Sequence, residues 1–396
     1  MIRVTNSERG ALACPQYWLL RYGLRLQSQR VGWALRVGTY WHELMDLVWV
    51  EGGAAARRKI QTDREAAQVA LSRGFDPGCD AGLQAADQEA LCDLVERMLR
   101  GYLATYGEKA ALFWAGAGMG GASPETVWVE HVLEPQDMGP GAAHYTGKVD
   151  KLVRVNGALW IVEHKTTGRP LDEWWARNRN SPQPLTYAVC ASRELGEPVR
   201  GVAYDVALTK PPATAGDFKL TQGGALSRRM PARATREALQ LAIDAHGVEP
   251  QGWHADYLGQ TDSEKALPAL ADMQAAAFRR ELVVFDAYDL RRREAEMEVE
   301  AQQLQRWHDT LEPHLSKVTG TTESGSADWE QGVEDVLRSV GHKYPRNGTY
   351  CFHWNRACEM MTLCRTQRAR GCVGLERRAV AHAELDDETT AQEGAT

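Results

Sequence analysis

The stretch TGKVDKLVRVNGALWIVEHKT, residues 146–166, decides the fold. Its two halves are rich in Val, Leu, Ile and Trp and meet at Asn156-Gly157, the dipeptide that best tolerates the positive φ angles of a two-residue hairpin turn. The stretch predicts two antiparallel strands, 146–155 and 158–166, with Asp150 and Glu163 on neighbours. Side chains alternate along a strand, so Glu163 and Lys165 share a face while His164 points away. Two carboxylates on adjacent strands are enough to start a site for a hard divalent cation, and the lysine sets a positive charge beside it. Alone, an E-x-K on a strand is more often a solvent-facing cross-strand charge set, so other residues have to decide.

Outward from the hairpin the pattern is α/β. TVWVEHVL (126–133) alternates apolar and polar residues as a strand, with Glu130 as a further acidic candidate. After Pro182, Leu185, Tyr187, Ala188, Val189 and Ala191 predict a helix, and VRGVAYDVAL (199–208) another strand. The order strand, strand, strand, helix, strand implies a mixed central sheet flanked by helices over 126–215. Residues 1–125 read as a helical N-terminal region: one amphipathic helix from Ser7 to Leu26, a second over Thr39–Val50, and a helical stretch over 57–113. Residues 216–345 read as a helical elaboration that includes a long charged helix over 281–311. A cysteine-containing segment over 346–380 and an acidic, disordered tail over 381–396 complete the expected organisation. Gly116, Gly118 and Gly121 fit G-x-G-x-x-G, but a helical segment precedes them and a strand follows, the reverse of a dinucleotide site.

Bulk properties bound the function. The chain has 396 residues, 43% hydrophobic and 25% charged, with a net charge of −7, which excludes a generally basic nucleic-acid coat but not a local groove. No apolar run approaches the roughly 20 residues of a membrane span, and MIRVTNSERG lacks the apolar core of a secretory signal, so a cytoplasmic protein is expected. Eight cysteines in such a chain are better tested as a metal or iron–sulfur site than as a disulfide framework.

Gly147-x-x-Asp150, Glu163-x-Lys165 and Gln183-x-x-x-Tyr187, preceded by Gly38-x-x-x-His42 in VGTYWHELMDL (37–47), resemble in order and spacing the RecB-like branch of the PD-(D/E)xK nucleases. His42 alone would read as a hydrogen-bonded core histidine; the other three elements reverse that reading. The resemblance implies a restriction-endonuclease-like core in which His42, Asp150 and Glu163 bind Mg²⁺ or Mn²⁺, helped by the His164 carbonyl. It makes Lys165 the catalytic lysine and gives Gln183 and Tyr187 a role in contacting DNA or steadying it. Gln183 and Tyr187, four residues apart, also share a helical face. Val149 stands where the superfamily's name has proline.

Cys14 in ACPQYWLLRYGL and Cys351, Cys358 and Cys364 in YCFHWNRACEMMTLC resemble the iron–sulfur staple of the AddB-like and CRISPR-adaptation nucleases of this branch. Four thiolates suit a [4Fe–4S] cluster. Cys351-x₆-Cys358 is longer than the usual C-x-x-C, so zinc, with Cys372 in place of Cys14, and plain reduced core thiols stay open. Cys79, Cys92 and Cys190 read as small buried residues.

The reaction so implied is attack of metal-activated water on a DNA phosphodiester by an exonuclease of recombination, repair or phage DNA processing, leaving a 5′-phosphate. A helicase or recombination protein is the expected partner. The alternative is an inactive DNA-binding or scaffold subunit of a helicase–nuclease or CRISPR-adaptation complex. Trp18, Trp174 and Trp175 read as packing residues rather than base-stacking platforms.

Overall fold

Asn156 and Gly157 take left-handed backbone angles, φ 49° and 78°, and the hairpin read from the sequence forms around them. The computed structural model describes residues 2–28, 32–72, 80–108, 124–249, 251–261, 264–319, 326–355, 358–369, 375–378 and 385. The glycine motif at Gly116, Gly118 and Gly121, together with Cys79, Cys372 and nearly all of the acidic tail, lies outside the described residues.

In chain order the main elements are α1 (Trp33–Val50), α2 (Gly53–Ser72), α3 (Asp80–Tyr106), β1 (Glu125–Val132), β2 (Lys148–Val155), β3 (Ala158–Thr167), α4 (Leu171–Asn178), α5 (Pro182–Leu195), β4 (Val199–Leu208), α6 (Arg236–His246), β5 (Phe278–Val284), α7 (Ala287–Thr319) and α8 (Ala327–Val340). The five strands form one sheet in the order β1-β2-β3-β4-β5. All neighbours are antiparallel except β3 and β4, which run parallel and are joined by the α4–α5 crossover. This is the mixed, helix-flanked sheet expected from the sequence.

Both faces of the sheet are covered, so its central strand is apolar nearly throughout: Leu159, Trp160, Ile161 and Val162 are all buried. On one face Leu152, Ile161 and Val206 pack with Ala188 and Ala191 of α5, over which α7 and α8 contribute Leu304, Leu311, Val333 and Val336. On the other, Val153, Trp160 and Val162 form a small cluster with Trp49 of α1. Val37, Trp41, Leu44 and Met45 of α1 pack with Val95 and Tyr102 of α3. The segment between β4 and β5 has a separate small core of Phe218, Leu226, Leu239 and Ile243.

Three elements differ from the sequence reading. The single helix expected over 7–26 is broken into Asn6–Gly10, a 3-10 turn Ala11–Ala13, Pro15–Trp18 and a π turn Leu19–Gly23, followed by an extended Leu26–Ser28 paired with Leu375–Arg377. Pro15 has no amide hydrogen to continue a preceding helix and instead starts a new one at its first position. The helical stretch 57–113 is two helices, α2 and α3. The charged helix expected from 281 begins at Ala287, because Glu281–Val284 belong to β5 and pair with β4. Thus the sheet takes its fifth strand from a region read as wholly helical. Trp18 is fully buried against Trp307 and Tyr344, and Trp174 and Trp175 lie edge-on to Tyr204, all packing roles as expected.

Candidate active site

The β2–β3 ladder runs from Val155↔Ala158 only as far as Lys151↔Val162. Beyond that pair β2 stays with β1 down to Lys148↔Val132, and β3 stays with β4 up to Thr167↔Leu208. The two strands therefore part company where Asp150 and Glu163 sit. Asp150 turns into the opening, and its Oδ2 accepts the main-chain N–H of His164 at 2.9 Å.

Helix α1 closes one side of this wedge. Its apolar stripe docks on the sheet and α3, which leaves His42 facing the strand ends, with Nδ1 3.3 Å from Asp150 Oδ2. One turn further on, Asp46 Oδ1 lies 2.5 Å from the ammonium of Lys151, which is fully buried. Residues 42 and 46 thus grip consecutive residues of β2. From the other neighbour, Glu130 of β1 reaches the same point: His42, Glu130 and Asp150 each offer a ligand atom, all within 4.8 Å of one another. Glu130 has a left-handed φ of 50°, rare for a residue with a side chain and costly by roughly 1–3 kcal/mol. It pairs with Lys148 at 2.7 Å.

Glu163 is wholly buried, and Lys165 Nζ lies 2.5 Å from its Oε2. Apart from that ion pair neither carboxylate oxygen has a hydrogen-bond partner among the described residues. Burial pushes the Glu163 carboxyl up to about 7, against the pull of Lys165 and with added repulsion from Asp150. Burial acts on Asp150 in the same sense, but His42, Lys165 and Lys151 outweigh it and hold this carboxyl below the ordinary range. Burial opposes the charge on Lys165, yet Glu163 and Asp150 prevail and keep it protonated. His42 is likewise raised by Asp150 in spite of burial. His42, Glu130 and Asp150, two carboxylates and an imidazole around one gap, fit a hard divalent cation; Glu163 stands outside that group, though its carboxyl feels the charges of Asp150 and His42.

Gln183 and Tyr187 are brought to the same place by α5, which starts with Ser181 as its N-cap and Pro182 in the first turn. Gln183 Nε2 donates to the Tyr187 hydroxyl at 2.9 Å. A Cβ at Gly147 would lie 2.5 Å from Tyr187 Cε1, so the glycine of G-x-x-D is the space that the tyrosine ring occupies. The His164 ring points away from Glu163, as strand alternation required, and sits 3.3 Å from Asp205 on β4. Asp205 also accepts the Tyr102 hydroxyl of α3 at 2.5 Å and faces Arg280 of β5 at 3.4 Å.

A family model for the PD-(D/E)XK nuclease superfamily matches residues 9–365. The chain belongs to this superfamily. Membership makes it a metal-dependent nuclease that binds DNA, built on a restriction-endonuclease-like sheet. None of the curated proteins compared matches the chain. Among the described residues no helix is long and apolar enough to cross a membrane.

Sequence reasoning missed the Asp46–Lys151 pair and the His164–Asp205–Tyr102–Arg280 network, and gave Glu130 only a secondary place. Asp46 had one visible signal, its position one helical turn after His42. Lys151 had another, as a cation on the same strand face as the apolar Val149 and Val153 of β2. The network had none, since it joins α3, β3, β4 and β5.

The cysteines expected to share a ligand lie near one another, but among the described residues the group with ligand atoms within 4.8 Å of one another is His42, Glu130 and Asp150 and includes none of them. Asn347 joins two of them: its N–H donates to Cys14 Sγ at 3.5 Å and its carbonyl accepts from Cys351 Sγ at 3.8 Å. Burial pushes the Cys358 thiol up to about 11, with contributions from Glu359, Cys14 and Cys364 close by. Cys364 is raised by burial and by its nearness to Cys14 and Cys351. Cys92 and Cys190 are buried, as expected.

Proposed function

We propose that this PD-(D/E)XK nuclease is a RecB-like DNA exonuclease acting in recombination, repair or phage DNA processing. The observation that carries the reading is the meeting of all four motif elements at one opening in the sheet. His42 touches Asp150, Lys165 touches Glu163, and Tyr187, held by Gln183, fills the space at Gly147.

His42, Asp150 and Glu163 would hold Mg²⁺ or Mn²⁺, with Glu130 as a fourth side chain in reach and the His164 carbonyl on the adjoining strand. Such an ion supplies Lewis-acid neutralisation of phosphate charge and a water of lowered pKa. Lys165 remains an ammonium beside two carboxylates, which suits it to stabilising charge on the phosphate rather than to taking a proton. The Tyr187–Gln183 pair walls the lysine on the α5 side and positions it. An inactive scaffold has no use for a buried carboxylate lacking any partner but that lysine, which weighs against the alternative.

Asp150→Ala and Lys165→Ala should each reduce cleavage of linear DNA at least a thousandfold while the circular dichroism spectrum stays unchanged. Wild-type rates in either purified variant would sink the assignment. End-labelled linear DNA compared with closed circles tests the exonuclease reading: an exonuclease degrades the first and spares the second.

The thiols of Cys14, Cys351, Cys358 and Cys364 would hold a [4Fe–4S] cluster that fastens the start of the chain to its C-terminal segment; zinc is the rival occupant. The link that Asn347 makes between Cys14 and Cys351, more than 300 residues apart, supports a shared ligand. Protein purified without oxygen should be brown with broad visible absorption. A colourless, iron-free and fully active preparation removes the cluster.

A further inference from the structure

The chain as a whole is acidic, yet residues 210–236 carry six lysines and arginines against one carboxylate, Asp217. Asp217 is already matched, lying 3.5 Å from Arg97 of α3. Lys210, Lys219, Arg228 and Arg229 are exposed, and none of the four has an acidic partner among the described residues. Elsewhere arginines on this surface are commonly matched, as Arg57 is with Glu108, Arg64 with Asp93 and Glu96, and Arg193 with Glu294. Unmatched like charges repel one another, so a run of them raises the free energy of the folded chain unless an anion is supplied.

Their placement is not that of a loose loop. Lys219 and Arg229, with the Arg97–Asp217 pair, line a cleft of about 740 Å³ that also takes in Pro211 and Met230. Behind it lies the small core of Phe218, Leu226, Leu239 and Ile243, which makes the cleft wall a packed surface. The segment springs from the end of β4, where Thr209 N–H donates to the Thr167 carbonyl at 2.8 Å. Thr167 is two residues past Lys165 on β3. The basic segment is thus rooted at the strand end towards which the candidate active site opens.

We infer that this cleft is a track for the phosphodiester backbone of the DNA substrate, with Lys219 and Arg229 as its principal phosphate contacts. The inference rests on the nuclease reading and adds to it a binding surface outside the metal site. Phosphate contacts of this kind position a strand without reading its sequence, and each releases counterions, so they leave a signature in the salt dependence of binding.

The test uses the full-length protein in EDTA, so that binding is measured without cleavage, with fluorescence anisotropy of labelled single-stranded and duplex oligonucleotides over a range of salt. Lys219→Glu/Arg229→Glu should weaken binding at least tenfold, and the milder Lys219→Gln/Arg229→Gln should flatten the plot of log Kd against log salt by about 1.5–2. Both variants should still hydrolyse bis(p-nitrophenyl) phosphate with Mn²⁺ at the wild-type rate, since neither residue belongs to the metal site. Unchanged affinity and slope, with the wild type binding and cutting DNA, overturn the track and leave the nuclease reading standing; the cleft would then face an acidic protein or nothing. A wild type that hydrolyses neither DNA nor the small diester overturns the nuclease reading and the track with it.

Discussion

Glu163 is a carboxylate that the fold shields from water and, apart from one ion pair, leaves without partners among the described residues. Glu130 is its counterpart on β1, across β2, less buried but set on a strained backbone and within reach of His42 and Asp150. Each is a candidate second anionic ligand beside Asp150, and they differ in what the protein gains from a cation. At Glu163 the cation relieves a buried orphan; at Glu130 it adds to an existing pair with Lys148. We expect Mn²⁺ titrations followed by calorimetry to show binding lost in Glu163→Gln but weakened about tenfold, about 1.4 kcal/mol, in Glu130→Gln. Equal affinities in Glu130→Gln and wild type would confine the site to His42, Asp150 and Glu163. At the same scale Gly147→Ala should cost about 1–3 kcal/mol of stability, because the new methyl overlaps the Tyr187 ring. Calorimetric unfolding measures it, and a variant as stable as wild type would mean that the ring moves aside freely.

The elements show how the sheet is opened at one end and pinned at the other. Helix α1 docks through its apolar stripe, and Asp46, one turn after His42, pins it further to the buried ammonium of Lys151. Removing one partner of such a pair leaves the other charge uncompensated. Asp46→Ala should lower the unfolding free energy by about 3 kcal/mol, and adding Lys151→Met should restore most of it; denaturant titration of the two variants decides this. A single variant of wild-type stability would mean that Lys151 finds water. The hairpin, α5 and β4 were legible because each has a local signature: Asn156-Gly157, the apolar spacing of Leu185, Tyr187, Ala188, Val189 and Ala191 after Pro182, and the strand pattern of 199–208. His42, Asp150, Glu163, Lys165, Gln183 and Tyr187 were legible as spacings on those elements. The breaks around Pro15 and the strand Phe278–Val284 were not. FRRELVV alternates poorly and runs into a charged helix, and only its pairing with β4 along seven residues makes it a strand. Local propensity is overridden there by an open sheet edge that needs covering.

At the scale of the molecule, one buried polar cluster ties the active-site strand to the rest of the sheet. Asp205 of β4 meets His164 of β3, Tyr102 of α3 and Arg280 of β5, and Arg280 also lies 3.4 Å from the centre of the Tyr106 ring. Burial would raise the Asp205 carboxyl, but Arg280, His164 and Tyr102 overcome it and bring it down to about 2, from an ordinary value of 3.8. A carboxyl depressed on folding is protonated more readily in the unfolded chain, so its contribution is present above the unfolded value and is lost as pH falls through the folded one. The window runs from about pH 4 down to about pH 2, and the contribution at neutral pH is about 2 kcal/mol. The advantage of wild type over Asp205→Asn in urea unfolding should therefore be constant from pH 7 to pH 5 and should narrow steadily below pH 4. A difference independent of pH down to 2.5 would mean that Asp205 holds the sheet through hydrogen bonds alone and that its charge, set against Arg280, contributes nothing.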